Sequence, residues 1–310
     1  MLAAPLRHVL SLPRGAQPAA LRALRAALTL PADPEAWNTR FGPGSLFDAW
    51  TRSSLVQGLH SANAAILASH LGARPGFVAL ELGGGDGRLW SLALPADAVG
   101  ELIVVDPVAE VEDQVAARLP PGVRLRFLQA RFEELVQQGV DLGPTDAVVC
   151  SLVLHHVAGR DRAEREAHGL SGPGKVELLE VLVPGLRARD GLALVNEADI
   201  HCDLALAPGD PLLEERLLDS YVRRCATALL DDCAGRPEAD PDLRARWEAV
   251  ALHWCVEQVD RWQDPVAERD VYELDAPRWR EVFAAAGMAL QREVLTDQHA
   301  LFRQYLLRPA

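Results

Sequence analysis

Two adjacent histidines, His155 and His156, close the apolar run DAVVCSLVL, Asp146 to Leu154. Imidazole gains and loses its proton near neutral pH. It is therefore the usual base where a reaction must strip a proton from a hydroxyl or an ammonium. Further on, Glu197, Asp199 and His201 follow another apolar run at alternate positions. With His155 they could make a base oriented by a carboxylate. Two histidines and two carboxylates would also suit a divalent metal. A solvated loop is the plainer reading, and no metal is expected. Upstream lies a glycine cluster, with Glu81, Gly83, Gly84, Gly85 and Gly87 behind a strand-like run. Such a turn brings bare main chain against a ligand because no Cβ intervenes. The helix start that follows offers free N–H groups.

The elements that must hold these groups are legible as alternating patterns. Short apolar runs occur at Phe77–Leu82, Glu101–Asp106, Val123–Gln129, Asp146–Leu154 and Gly191–Glu197. Helix-like stretches separate them at Arg88–Leu94, Ala109–Leu119, Phe132–Gln138 and Lys175–Val183. This alternation predicts an α/β fold, a parallel sheet with helices on both faces. A helix from Pro277 to Ala286 and two more runs, Ala289–Leu295 and Ala300–Leu307, close the chain. The link between those two runs is too short for a parallel crossover, so they should pair antiparallel. Helical periodicity before and after this pattern predicts an N-terminal helical cap at 1–72 and a helical insertion at 201–270. The core is expected at 73–200 and 271–310.

The glycine turn separates two cofactor classes. A dinucleotide fold wants G-x-G-x-x-G, and Arg88 stands where the third glycine belongs. The spacing is instead Glu81-x-Gly83-x-Gly85-x-Gly87. This closely resembles motif I of class I S-adenosylmethionine methyltransferases. The Asp146-to-Val157 stretch looks like motif IV of their small-molecule members, and Leu182-Val183-Pro184-Gly185 resembles their approach to the fifth strand. The resemblance covers Gly76 to Glu197 and Asp275 to the end. It implies a Rossmann-like seven-stranded sheet, mostly parallel with its last strand antiparallel, and S-adenosylmethionine as cofactor. It also implies cofactor contacts from Glu81, Gly83, Gly84, Gly85, Gly87, Asp106, Pro107, Ala130, Arg131, Phe132, Ser151 and Leu152. Asp106 would accept the ribose hydroxyls and Glu81 would suit the amino group. One departure stands out. Where the family often has a residue to receive the adenine amino group, the Arg131 side chain cannot accept. That leaves main chain at Ala130 and Arg131, or Gln129 or Glu133. Phe132 would cover the adenine or begin the next helix core. Strand alternation lets only one of His155 and His156 face the cofactor.

Candidate acceptor contacts are Trp37, Arg40, Trp50, Glu197, His201, Tyr221 and Trp254, in or beside the helical segments. Tyr272, His253 and Trp262 are further lining candidates. Trp247, Val250, Ala251 and Trp254 fall at helical spacing, so a core stripe is the plainer role. The net charge of −13 and pI near 5.2 disfavour a phosphate-backbone partner, and strand four lacks an N/D-P-P-Y segment. Five cysteines without CxxC spacing suggest neither a zinc site nor a disulfide framework, which fits a cytoplasmic protein. No run is long enough to span a membrane. Lys175 is the only lysine, which reads as a compositional habit. The expected partners are a small-molecule acceptor and a second copy of the chain. Two other readings remain open: a catalytically silent cofactor-binding subunit acting through a partner interface, and an NAD-dependent oxidoreductase, disfavoured by Arg88.

Overall fold

The computed structural model describes residues 3–27, 46–140, 142–157, 161–168, 173–199, 223–235, 241–261, 264–269, 272–297 and 299–310. The chain divides into two compact units. One comprises Met1–Gly58, Asp199–Pro265 and Asp297–Leu301; the other comprises Leu59–Ala198, Val266–Thr296 and Phe302–Ala310.

The second unit is built on a seven-stranded sheet. Its strands are β1 (Phe77–Leu82), β2 (Gly100–Asp106), β3 (Val123–Gln129), β4 (Ala147–Ser151), β5 (Leu192–Ala198), β6 (Met288–Leu295) and β7 (Phe302–Pro309). Their order is β3-β2-β1-β4-β5-β7-β6. Strands β1 to β5 pair parallel, whereas β7 runs antiparallel to both β5 and β6. The near-continuous apolarity of β4 and β5 suits strands covered on both faces, and their Ala147–Cys150 and Leu192–Ala198 segments are buried throughout. Strand β3 lies at the sheet edge and keeps exposed Arg124 and half-buried residues beside it. The order reverses between β1 and β4. In open α/β sheets the crevice beyond the strand C-termini at such a switch point is where ligands bind.

Strand alternation sorts the side chains. By register, Leu82, Cys150 and Val195 share one face, to which Glu197 also belongs. Ala79, Glu81, Val149, Leu194 and Asn196 share the other. Helix α4 (Ser54–Leu71), preceded by α1 (Ala3–Ser11), α2 (Gln17–Ala27) and α3 (Leu46–Thr51), covers this second face. There Leu67 and Leu71 join Ala79, Val149, Leu194 and Trp90 in one core cluster. Each fully buried leucine of that kind stabilises by about 2 kcal/mol.

Other helices of this unit are α5 (Arg88–Ala93), α6 (Glu110–Ala116), α7 (Phe132–Gln138), α8 (Arg162–His168), α9 (Pro173–Ala188) and, nearer the C-terminus, the helix Ala276–Ala285. The approach to β5 through Pro184-Gly185 is lengthened to Arg189 and the turn falls at Asp190-Gly191, as the sequence reads; α9 runs through Pro184 and Gly185, and Asp190 has φ at 47°. The cause is packing. A Cβ at Gly185 would stand 2.5 Å from the Gly143 carbonyl, so the glycine lets the helix press against that loop.

The N-terminal edge of the sheet is clamped by Asp146. This buried carboxylate accepts the Val78 N–H at 2.8 Å, Arg74 at 3.0 Å and Arg189 at 3.1 Å. It sits at the end of the strands away from the crevice, where its role is to hold the sheet together.

The first unit is helical, with α1, α2 and α3 joined by α10 (Arg223–Gly235) and α11 (Pro241–Arg261). Trp247, Val250 and Ala251 of α11 are completely buried, and the Trp247 indole donates to the Ala49 carbonyl at 2.8 Å. These residues form the core stripe that their spacing predicts. The start of α4 is capped twice. Ser53 Oγ accepts the Val56 N–H, and Asp232 accepts the Ser54 N–H at 2.6 Å, two of the N–H groups a helix start leaves without a partner inside the helix.

Candidate active site

The turn after β1 is a bare ledge. Gly83 has a φ of 76°, and a Cβ there would lie 2.3 Å from Val153 Cγ1. Gly85 has a φ of 53° with nothing within 4 Å of its missing Cβ. The first glycine lets the chain beyond β4 come close, and the second leaves main chain open to a ligand.

Asp106, at the end of β2, is fixed over this ledge. One oxygen accepts the Gly84 N–H at 3.1 Å and the other accepts the Val108 N–H at 2.8 Å. Burial pushes its carboxyl above the usual range, although these main-chain bonds work the other way. The Gly85 main chain also bonds this carboxylate, so of the roughly four lone-pair sites it offers about one is left for a ligand hydroxyl. Pro107 follows directly, and its carbonyl receives the Gln129 amide at 3.4 Å.

Glu81 is also buried. Its Oε2 accepts the Trp90 indole N–H at 2.6 Å. Desolvation drives its carboxyl well above the ordinary value, against the pull of that bond. The expected contact with an amino group is thus left to its other oxygen. Trp90, from α5, is a functional neighbour that motif reading missed.

Beyond β3, the Ala130 N–H donates to the Asp106 carbonyl at 3.3 Å and the Arg131 N–H donates to Glu134 at 3.0 Å. Phe132 is buried, with its Cζ 3.8 Å from the Cβ position of Gly83. The ring therefore lies against the glycine turn as well as beginning α7.

The segment after β4 departs most from expectation. The strand ends at half-buried Ser151, and Leu152 takes the left-handed conformation with φ at 58°. Its N–H donates to the Asn196 carbonyl at 2.8 Å. A leucine there is strained by roughly 1–2 kcal/mol. The reversal throws Leu154–His156 into a single 3-10 turn, so strand alternation does not sort the two histidines, whose ring centroids lie 4.2 Å apart.

That turn meets Glu197. His155 Nδ1 lies 2.7 Å from Glu197 Oε2, and Oε1 accepts the Leu154 N–H at 2.8 Å. Glu197 is 1% exposed and the His155 side chain 15%. Burial works to lower the His155 pKa. The charge and hydrogen bond of Glu197, with the charge of Glu273, outweigh it, and the net shift is upward; Lys175 partly opposes this. Around the turn, the Tyr272 N–H donates to the His155 carbonyl at 2.6 Å and Lys175 Nζ donates to the Val157 carbonyl at 2.5 Å.

Other sequence candidates fall elsewhere. Glu197 and Asp199 do not lie in a solvated loop. Both are buried; Glu197 serves the histidine turn, and the Asp199 carboxylate lies 3.9 Å from Arg224 in the helical unit. Among the described residues no group of three or more His, Cys, Asp or Glu side chains is placed to hold a metal. Trp50 is buried in α3 of the helical unit. Trp37, Arg40, His201 and Tyr221 lie outside the described residues, as does the side chain of Trp254 in α11.

Residues 80–176, which carry the glycine ledge, Asp106 and the histidine turn, match a family described as a methyltransferase domain. Residues 80–176 thus make up a methyltransferase domain. The residues present fit S-adenosylmethionine, the cofactor such a domain implies: Gly85 has no Cβ to fill the ledge, Asp106 is a fixed acceptor and Glu81 offers an acidic oxygen. No curated protein matches the chain. Among solved structures, the methyltransferase domain and its additions resemble the magnesium protoporphyrin IX methyltransferase (ChlM) from Synechocystis PCC 6803 with bound S-adenosylmethionine. Identity is 14% over 91% of this chain and 100% of that one, with a TM-score of 0.45. The N-methyltransferase NodS from Bradyrhizobium japonicum WM9, in complex with S-adenosylhomocysteine, matches at 10% identity over 90% and 93%, TM-score 0.42. A pericyclic reaction enzyme matches at 14% identity over 79% of this chain and 47% of that one, TM-score 0.42. The chain thus spans about half the length of the first such structures it matches.

Proposed function

We propose that the whole chain is an S-adenosylmethionine-dependent methyltransferase whose acceptor is a small molecule with a proton-bearing oxygen or nitrogen. The observation that carries this reading is the 2.7 Å contact between His155 and Glu197. When bound, the cofactor supplies an electrophilic methyl carbon. The chain must then align the acceptor, exclude water and take up its proton.

His155 is the residue for that proton. Glu197 accepts from its Nδ1, which leaves Nε2 as the free base of the neutral ring. The two histidines and Ser151 stand at the C-terminal edge of β4, on the crevice side of the switch point. Asp106 and Glu81 would hold the ribose and amino ends of the cofactor. The acidic composition supports a small molecule over nucleic acid as acceptor. No helix among the described residues is long and apolar enough to cross a membrane. Described cysteines Cys150, Cys225 and Cys233 are free thiols, and we infer a cytoplasmic setting from them.

The test is turnover. Purified full-length protein with S-adenosylmethionine and a panel of small phenols, carboxylic acids and amines should release S-adenosylhomocysteine with at least one acceptor. It should do so far more slowly as His155→Ala. Binding of S-adenosylmethionine with no turnover on any acceptor would sink the catalytic reading. Failure to bind it would sink the cofactor assignment as well.

A further inference from the structure

We propose that Lys175 is a positioning residue for His155, its ammonium locking the 3-10 turn that holds the imidazole on Glu197. This rests on the reading of His155 as the base.

The chain has 31 cationic residues besides histidine, and Lys175 is its single lysine. It is fully buried. Lysine is rarely buried unless paired, because an ammonium stripped of water must be compensated. Its partners are specific. Nζ donates to the Val157 carbonyl at 2.5 Å, and lies 5.8 Å from the Tyr272 ring centroid and 5.9 Å from that of Trp279. Aromatic faces at that range stabilise a cation. Tyr272 in turn donates its N–H to the His155 carbonyl. Two carbonyls of the turn are therefore pinned: that of Val157 at its C-cap by Lys175 itself, and that of His155 at its middle by the residue whose ring faces Lys175.

The residue type follows from the space. A guanidinium is a broad planar fork, whereas an ammonium is a compact point charge that can reach the Val157 carbonyl while lying near two ring faces. The same charge acts on the base. Three charged groups and one ring face His155: Glu197 from β5, Glu273 from the segment beside Tyr272, Lys175 from α9 and the His156 ring on the turn itself. Both carboxylates favour the imidazolium, and Lys175 is the group that opposes them.

A single lysine gives the test unusual clarity, since lysine labelled with 13C at the ε carbon yields one NMR signal from the whole chain. In the parent protein this signal should inflect at the pH where His155 titrates, and His155→Gln should abolish the inflection. Lys175→Gln keeps a donor but removes the charge, and Lys175→Met removes both. Each should move the His155 titration and the acid limb of kcat to higher pH. The kcat of Lys175→Met should fall about tenfold further than that of Lys175→Gln. A lysine signal with no inflection, or a His155 titration unmoved in both variants, overturns the proposal. If either variant fails to fold, the parent titration decides alone. Loss of the proton-acceptor reading looks different: His155→Gln would keep full kcat while the lysine signal still inflected in the parent.

Discussion

His155 Nδ1 and Glu197 Oε2 meet at 2.7 Å although 42 residues separate them in the chain. The second oxygen of the same carboxylate holds the Leu154 N–H. Glu197 therefore fixes both the ring and the main chain that carries it, and its burial keeps water from competing for either bond.

Replacing Glu197 with glutamine should lower kcat by about 10²-fold, the scale of a misdirected general base. It should also move the acid limb. Glu197 raises the His155 pKa, and a base works only once deprotonated, so with His155 as the proposed base activity in the parent should rise as pH climbs through the raised value. In Glu197→Gln that rise should come at lower pH. A kcat–pH profile of both proteins checks the direction.

The same shift is a statement about stability. A histidine raised in the folded state contributes stability in full below its unfolded value, about 6.5. That contribution is lost as pH rises through the folded value. Chemical denaturation from pH 5 to pH 9, roughly bracketing both values, should show the parent losing stability over this window and His155→Gln losing less. Equal slopes would refute the linkage.

Gly83→Ala should destabilise the fold by roughly 1–3 kcal/mol, from overpacking against Val153 and from the left-handed backbone. Pairing it with Val153→Ala should restore part of the loss, because the methyl then has room. Thermal unfolding of the two single variants and the double variant reads this directly.

Asp106→Asn should weaken S-adenosylmethionine binding by about 10- to 100-fold, the range for charge-assisted hydrogen bonds. Isothermal titration gives the value. By contrast, Asp146→Ala at the far edge of the sheet should leave cofactor affinity within about twofold while lowering stability by about 2 kcal/mol, since it removes the shared acceptor of Arg74, Arg189 and the Val78 N–H.

The chain's local grammar determined a good deal by itself. The five apolar runs became β1 to β5, and the short link before β7 became an antiparallel pairing. Glycines after β1 and an aspartate ending β2 are neighbours in sequence of the elements they serve, so spacing exposes them. The 3-10 turn was hidden for the opposite reason. Leu152 adopts a backbone that leucine disfavours, and only surrounding contacts such as its bond to Asn196 hold it there. Pro184 stays in a helix for a similar reason, under tertiary packing that no local propensity records. Glu197 as partner of His155 is among the alternatives the spacing offers, whereas Trp90 for Glu81, and Val157 with two aromatic rings for Lys175, are not legible there. Sequence periodicity reports which face a residue takes, because that depends on its immediate neighbours. Which distant side chain it meets on that face depends on how the strands are ordered, and that is settled only when the sheet has closed around its core.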